Sequence, residues 1–394
     1  MIGALAVLLL LVQVQTASAQ GQLPPTIDLL VPAPPVPASA GGQAHLVYEL
    51  HVTNLAAADI LLTRVDVVSE PGGRLLVRYA TGELNTVIDR PGLPAPAPGA
   101  APRDLRAIAG GQRGVVRIWV SGDPSALPSA VRHRVFVETT APNGAKIAGV
   151  VESLPTEIRR QSLLVLDPPF SGGTWYAGNA PSNSSPHRRT LLAVNGRARI
   201  AQRFAIDWIK LGDDGLLYKG DPSKNASWYA YGEAVLAAAD GVVTEVKDGI
   251  PDNTPLATER AVPITLDTVA GNYVIIEHER GRYALYAHLQ PKSLRVKVGN
   301  HVRRGQVLGR LGNSGNSDAP HVHFHLCDAS SALGCEGLPY VIDRFEVLGH
   351  LDVGADLRTL KPWSPRPDQA PDPRAKEIPL EDAVVRFAAP SPRP

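Results

Sequence analysis

From residue 45 onward, apolar and polar positions trade places at every step. In His45-Leu46-Val47-Tyr48-Glu49-Leu50-His51-Val52, the side chains of Leu46, Tyr48, Leu50 and Val52 share one face, while Glu49 and His51 lie on the other. A period of two predicts a half-buried β-strand. Strands are likewise expected at 61–68, 75–79, 115–120, 135–138 and 147–151, separated by turn-rich stretches such as 94–102. Several short strands with no helical periodicity predict an antiparallel β-sandwich, immunoglobulin-like, over residues 44–160. The pattern changes at Leu166-Asp167-Pro168-Pro169, after which polar turns and strands alternate to residue 352. The chain is therefore expected to be all-β, with a second domain of antiparallel sheet at 166–352. Residues 20–43 are rich in Pro, Ala and Gly and are expected to be a linker. Residues 361–394 carry nine prolines, which predicts a flexible tail.

Composition agrees with two folded units. The chain has 394 residues, more than one ordinary core accommodates, with 44% hydrophobic and 20% charged residues, 36 Gly and 36 Pro. A formal net charge of +1 creates no field that would gather nucleic acid or anionic lipid, so nucleic-acid binding is not expected. Residues 2–12 form an apolar run too short to cross a bilayer, followed by Gln13, Gln15 and the small residues Ala17-Ser18-Ala19. This predicts a signal peptide at 1–19 and an exported protein, periplasmic or extracellular, whose mature chain has no integral membrane segment. No Lys or Arg precedes the run, and a buried N-terminal helix is the competing reading. The two cysteines, Cys327 and Cys335, are close enough in sequence to close a small disulfide loop under oxidising conditions; the alternative makes Cys327 a metal ligand.

Candidate chemistry centres on His321-Val322-His323-Phe324-His325. On a strand these three histidines project to one side, with Val322 and Phe324 behind them. Imidazoles so spaced suit a zinc site, although alternating histidines also occur on solvated strands. In Phe204-Ala205-Ile206-Asp207-Trp208, the Asp207 carboxylate faces away from Ile206 and Trp208, as a ligand or as an edge charge. His288 ends the apolar run Tyr283-Ala284-Leu285-Tyr286-Ala287-His288. His45, His51 and His133 lie on or beside the first domain's strands and are expected to be hydrogen-bonded or solvated.

Taken together, the Ile206-Asp207 element, Ala238-Ala239-Asp240-Gly241-Val242-Val243, the segment from Asn272 to His278, Tyr286-Ala287-His288-Leu289, the segment from Val298 to Gly309 and that from Gly315 to Phe324 resemble the lysostaphin-type (LytM-like) zinc endopeptidases, which cut peptide bonds in bacterial peptidoglycan. The resemblance covers residues 193–326. It implies a small, mostly antiparallel sheet with a groove above it and one zinc ion per chain. It makes His323 and Asp207 zinc ligands and His288 and His321 catalytic histidines, and it implies attack on an amide carbonyl by zinc-activated water. Peptidoglycan or another peptide is the implied substrate.

Two departures qualify this. Relatives commonly carry their first ligand histidine four residues before the aspartate, where this chain has Arg203, which cannot shed its proton to bind zinc. His187, the only histidine between His133 and His278, is expected to take that role; the competing reading leaves it an exposed loop residue. His325 stands where relatives often have glutamate, and is expected to orient a ligand through a hydrogen bond. His278 and His301 are expected to be structural. The insertions at 211–232 and 247–271 are expected to wall the groove, or their aromatics to pack the insertion. Competing readings of the whole are a non-catalytic cell-wall binding or regulatory module that keeps the fold, and metal sequestration by His321, His323, His325 and Cys327.

Overall fold

A computed structural model describes residues 26–94, 101, 103–279, 281–354, 356–368 and 370–388. The expected signal peptide lies outside these residues. Among them no helix is long and apolar enough to cross a membrane.

The first unit is built from two antiparallel sheets sharing one apolar core. One holds Gln43–Asn54 paired with Arg113–Gly122, the other Ile60–Glu70 between Ala130–Thr140 and Leu75–Ala80. Leu46, Tyr48, Leu50 and Val52, the face picked out by alternation, pack against Ile118, Leu62, Val65 and Val135. The stretch expected to be a linker does not behave as one. Strand Ile27–Leu30 pairs with residues 51–54 and Ala38–Ala40 with residues 43–45, because each short run between the prolines is free to donate to a sheet edge.

The second unit is a sheet of 12 strands among the described residues. Its order along one path is Leu164–Leu166, Tyr340–His350, Ala383–Phe387, Gly173–Gly178, Ile206–Leu211, Val322–Cys327, Arg282–Leu289, Asn272–Glu279, Gly241–Lys247 and His301–Val302. All neighbours on this path are antiparallel except the first pair. The domain therefore does not end at 352, and the expectation of a flexible tail is overturned. Its prolines flank a proline-free run, Ala383-Val384-Val385-Arg386-Phe387, whose β-forming residues insert beside Gly173–Gly178. Among the described residues of the tail, the strand that contains a proline, Asp372–Glu377, pairs on one side only, with Tyr340–His350.

Beneath the middle of the sheet lie Trp175, Trp208, Phe170 and Phe387, with Phe170 stacked on Trp175 at 3.5 Å between ring centroids. Truncating either buried tryptophan to alanine would cost about 3–5 kcal/mol. This rigid floor fixes the strands whose opposite face carries polar groups.

Candidate metal centre

Register decides which side chains meet. Asp207 pairs with His323, and His323 with Ala287, so the three stand in one row across adjacent strands. Ile206 and Phe324 form the next row and point into the core with Trp208 and Tyr286. Gly178, opposite Asp207 on the other side, has no room for a side chain: a Cβ there would meet the Tyr176 ring at 2.9 Å and the Asp207 carbonyl oxygen at 3.4 Å.

Three imidazoles surround the Asp207 carboxylate. His323 Nδ1 lies 2.9 Å from Oδ1, His321 Nε2 3.4 Å from Oδ1 and His187 Nε2 3.3 Å from Oδ2. His187 reaches the site from the four-residue helix Pro186–Arg189, and its Nδ1 donates to the Asn179 carbonyl at 2.9 Å. His288 Nδ1 donates to the Ser314 carbonyl at 2.7 Å, and His321 Nδ1 to the Ala319 carbonyl at 2.7 Å. A neutral ring that donates through Nδ1 keeps its lone pair on Nε2. The His288 and His321 ring centroids are 4.7 Å apart. His325 sits one pleat along, its Nδ1 2.9 Å from His323 Nε2. Among the described residues its own Nε2 is buried without a partner.

Electrostatics sharpen the arrangement. Burial alone would raise the Asp207 pKa, but the rings of His187 and His321 outweigh it and hold the carboxyl well below its usual range. Burial lowers His321, and Asp207 more than reverses this, leaving it raised. Burial and the nearby rings of His321 and His323 drive His288 well below the ordinary value. Burial pushes His323 down to about 4 and His325 well below normal. His288, His323 and His325 are therefore neutral at pH 7.

The donor set suits zinc. One ligand atom from each of His187, Asp207 and His323 lies within 4.8 Å of the other two. Donors in a tetrahedral zinc site, about 2.0–2.2 Å from the metal, stand roughly 3.3 Å apart; His187 Nε2 is 3.3 Å from Asp207 Oδ2 and His323 Nδ1 2.9 Å from Oδ1. With His323 Nδ1 on a metal, its proton belongs on Nε2, where His325 Nδ1 accepts it. Arg203 takes no part in this set. Its guanidinium turns away to Glu49 and Glu336.

Cys327 and Cys335 are joined in a disulfide, so neither sulfur is available as a thiolate ligand. Their loop places Ala332 and Leu333 along a groove of about 410 Å³ that runs past His187, His288, His321 and His323. Val269 and Ala270, at the end of the second insertion, line it, as do Val353 and Leu357. The aromatics of the first insertion do not. Trp228 is buried against Tyr218, ring centroids 5.0 Å apart, and Tyr231 binds Asp252 at 2.8 Å, so they pack the insertion. His278 bonds the Asp240 carbonyl and Tyr286, away from the groove, and His301 is exposed.

One residue of the site escapes sequence reasoning. Asn179 donates to Asp207 Oδ2 at 2.7 Å from a left-handed backbone, φ 49°; His288, with φ 63°, shares that rare conformation. Such strain persists where surrounding structure holds it, and it clusters at functional sites. A Gly-Asn pair at a strand end is the sole hint in the sequence.

Comparison with known proteins places this geometry in context. Residues 227–334 match the family model Peptidase family M23, a span that includes His288, His321 and His323 but not His187 or Asp207. Over 80 residues the chain is 39% identical to peptidoglycan DD-endopeptidase ShyA of Vibrio cholerae, covering 20% of this chain and 18% of that protein. Over 84 residues it is 34% identical to DD-carboxypeptidase/endopeptidase Mpg of Neisseria meningitidis, covering 21% and 19%. The chain thus spans less than a fifth of the length of these relatives. Among solved structures, the M23 metalloprotease pseudoalterin from the deep sea aligns at 20% identity and a TM-score of 0.27 over 45% of this chain and 76% of that one. The catalytic domain of lysostaphin from Staphylococcus simulans aligns at 19% identity and a TM-score of 0.23 over 42% and 88%.

Proposed function

We propose that the protein, whose residues 227–334 match the model of peptidase family M23, is an exported zinc endopeptidase that hydrolyses peptide bonds of peptidoglycan stems or cross-bridges. His187, Asp207 and His323 hold the metal, and His288 and His321 handle protons beside it. The observation that carries this reading is the convergence of His187, His321 and His323 on the two oxygens of Asp207, at 2.9–3.4 Å, beside an open groove.

A zinc ion held by these residues would supply a Lewis acid for the scissile carbonyl and a nucleophilic water at neutral pH. The protein supplies the rest. Because the Ser314 and Ala319 carbonyls accept the Nδ1–H of His288 and His321, each neutral ring keeps its lone pair on Nε2. One accepts the proton of the attacking water, and the protonated ring returns it to the leaving amine nitrogen. A ring that carries a proton on Nε2 also stabilises the developing oxyanion. Asn179 restrains Asp207 Oδ2, and His325 fixes the orientation of His323. The groove, lined by Ala270, Ala287, Ala319 and Ala332 together with Leu285, Leu333 and Leu357, would seat an extended peptide.

The test is to incubate purified protein with peptidoglycan, with and without a zinc chelator, and to identify new amino termini by mass spectrometry. Chelator-sensitive release of peptides is expected. A zinc-loaded protein that binds the polymer and releases nothing would instead be a wall-binding module.

A further inference from the structure

We infer that Glu49, on the N-terminal sandwich, is a positioning residue of the metal centre: one buried carboxylate ties together the two segments that deliver His187 and Asp207. The inference rests on the reading of those two residues as ligands.

Glu49 is 3% exposed, at the contact between the two units. Its Oε1 accepts from Arg188 Nε at 3.1 Å, and its Oε2 from Arg203 Nη2 at 2.6 Å and Nε at 3.0 Å. Arg188 is the residue after His187, and Arg203 lies four residues before Asp207. Within the short helix Pro186–Arg189, His187 and Arg188 reach opposite ways, one to Asp207 and the other into the sandwich. Arg188 is fully buried, and its Nη2 also donates to the carbonyls of Tyr48 at 2.9 Å and Ile118 at 2.8 Å, both on the sandwich. Its Nη1 bonds Asn183, whose carbonyl in turn accepts from Arg117 Nε of the sandwich at 3.0 Å. Arg189 reaches the Thr86 carbonyl, and Arg203 also binds Glu336 and the Gly337 carbonyl.

Residues 182–189 thus have two sets of anchors. Asn179 and Glu381 hold them from the sheet, through His187, Ser185, Ser182 and Ser184. The sandwich holds them from behind. A four-residue helix has too few internal hydrogen bonds to fix a ring on its own. The forked guanidinium of Arg188, locked by three sandwich acceptors, defines where the helix axis lies and so where His187 Nε2 points. The sandwich is accordingly the back wall of the metal site, and Arg203, four residues before Asp207, serves as its second tether.

The experiment uses the full chain. Zinc affinity is measured by competition with a chromophoric chelator, and ligand geometry by the visible absorption of the cobalt(II)-substituted protein, for wild type, Glu49→Gln, Arg188→Lys and the sandwich-core control Val65→Ala. Glu49→Gln and Arg188→Lys are expected to weaken zinc binding at least tenfold and to alter the cobalt spectrum, while Val65→Ala, which only loosens the sandwich core, stays within twofold with an unchanged spectrum. If near-ultraviolet circular dichroism shows Glu49→Gln unfolded, Arg188→Lys decides, since it keeps the buried charge and loses the fork. Wild-type affinity and spectrum in the folded variants would overturn the inference alone, as would an equal loss in Val65→Ala. A wild-type chain that binds no zinc would overturn the site assignment as well.

Discussion

His133 and His45 of the sandwich differ from the histidines around Asp207 in what their second nitrogen meets. In the sandwich, His133 bonds Tyr48 through Nε2 at 2.8 Å and Ser153 through Nδ1 at 3.0 Å, and His45 bonds the Ala40 carbonyl and Ser121. Both nitrogens of each ring are occupied by local groups. In the sheet, His187, His288 and His321 each spend one nitrogen on a main-chain carbonyl and aim the other at a common space beside Asp207. Burial alone therefore does not mark a site. A saturated ring holds strands together, and a ring with a directed lone pair beside a carboxylate is ready for a metal or a proton.

The comparison breaks if the two sets respond alike to substitution. The largest effect is expected from Asp207→Ala, which removes the shared carboxylate: zinc content by atomic emission should fall to background, and turnover with it. Next, His288→Ala and His321→Ala should each cut kcat by about 10²–10⁴-fold with one zinc retained, because a general acid–base group is worth that much. Equal metal loss in these variants and in Asp207→Ala would defeat the division of roles.

The sandwich supplies the third test. Burial lowers the His133 pKa from 6.5 to about 4, so the unfolded chain takes up a proton that the folded chain refuses. The stabilisation this gives is fully present above pH 6.5 and is lost as the pH falls towards 4, a change of roughly 3 kcal/mol. Urea denaturation of the zinc-free protein at pH 7.5 and pH 4.5 should show that loss in wild type and a correspondingly smaller one in His133→Gln. The smallest effect should come from His325→Ala, which leaves every ligand in place and removes the acceptor for His323 Nε2. Zinc affinity measured by chelator competition should drop about 10–100-fold.

What the sequence disclosed follows the reach of local patterning. Alternation over 45–52 and 321–325 reports which residues share a face, and it placed the sandwich strands and the row of histidines. The facing of Asp207, opposite to Ile206 and Trp208, was equally local. Long-range placements were hidden. Nothing around Glu49 signals Arg188 and Arg203, because a charge on the polar side of a strand reads as solvated until another unit covers it. Nothing around Gly178-Asn179 announces the left-handed turn that puts an amide on Asp207. The proline count of the tail concealed the five-residue run 383–387, since composition averages over a window longer than a strand.

That same strand sets an order of events in biogenesis. Ala383–Phe387 fills the gap between Tyr340–His350 and Gly173–Gly178 and is made after both. Until it emerges from the ribosome, the strand beside Asp207 lacks its outer neighbour and the sheet remains in two parts. The row that carries Asp207 and His323 therefore gains its full support only once residues 383–387 have been made and inserted.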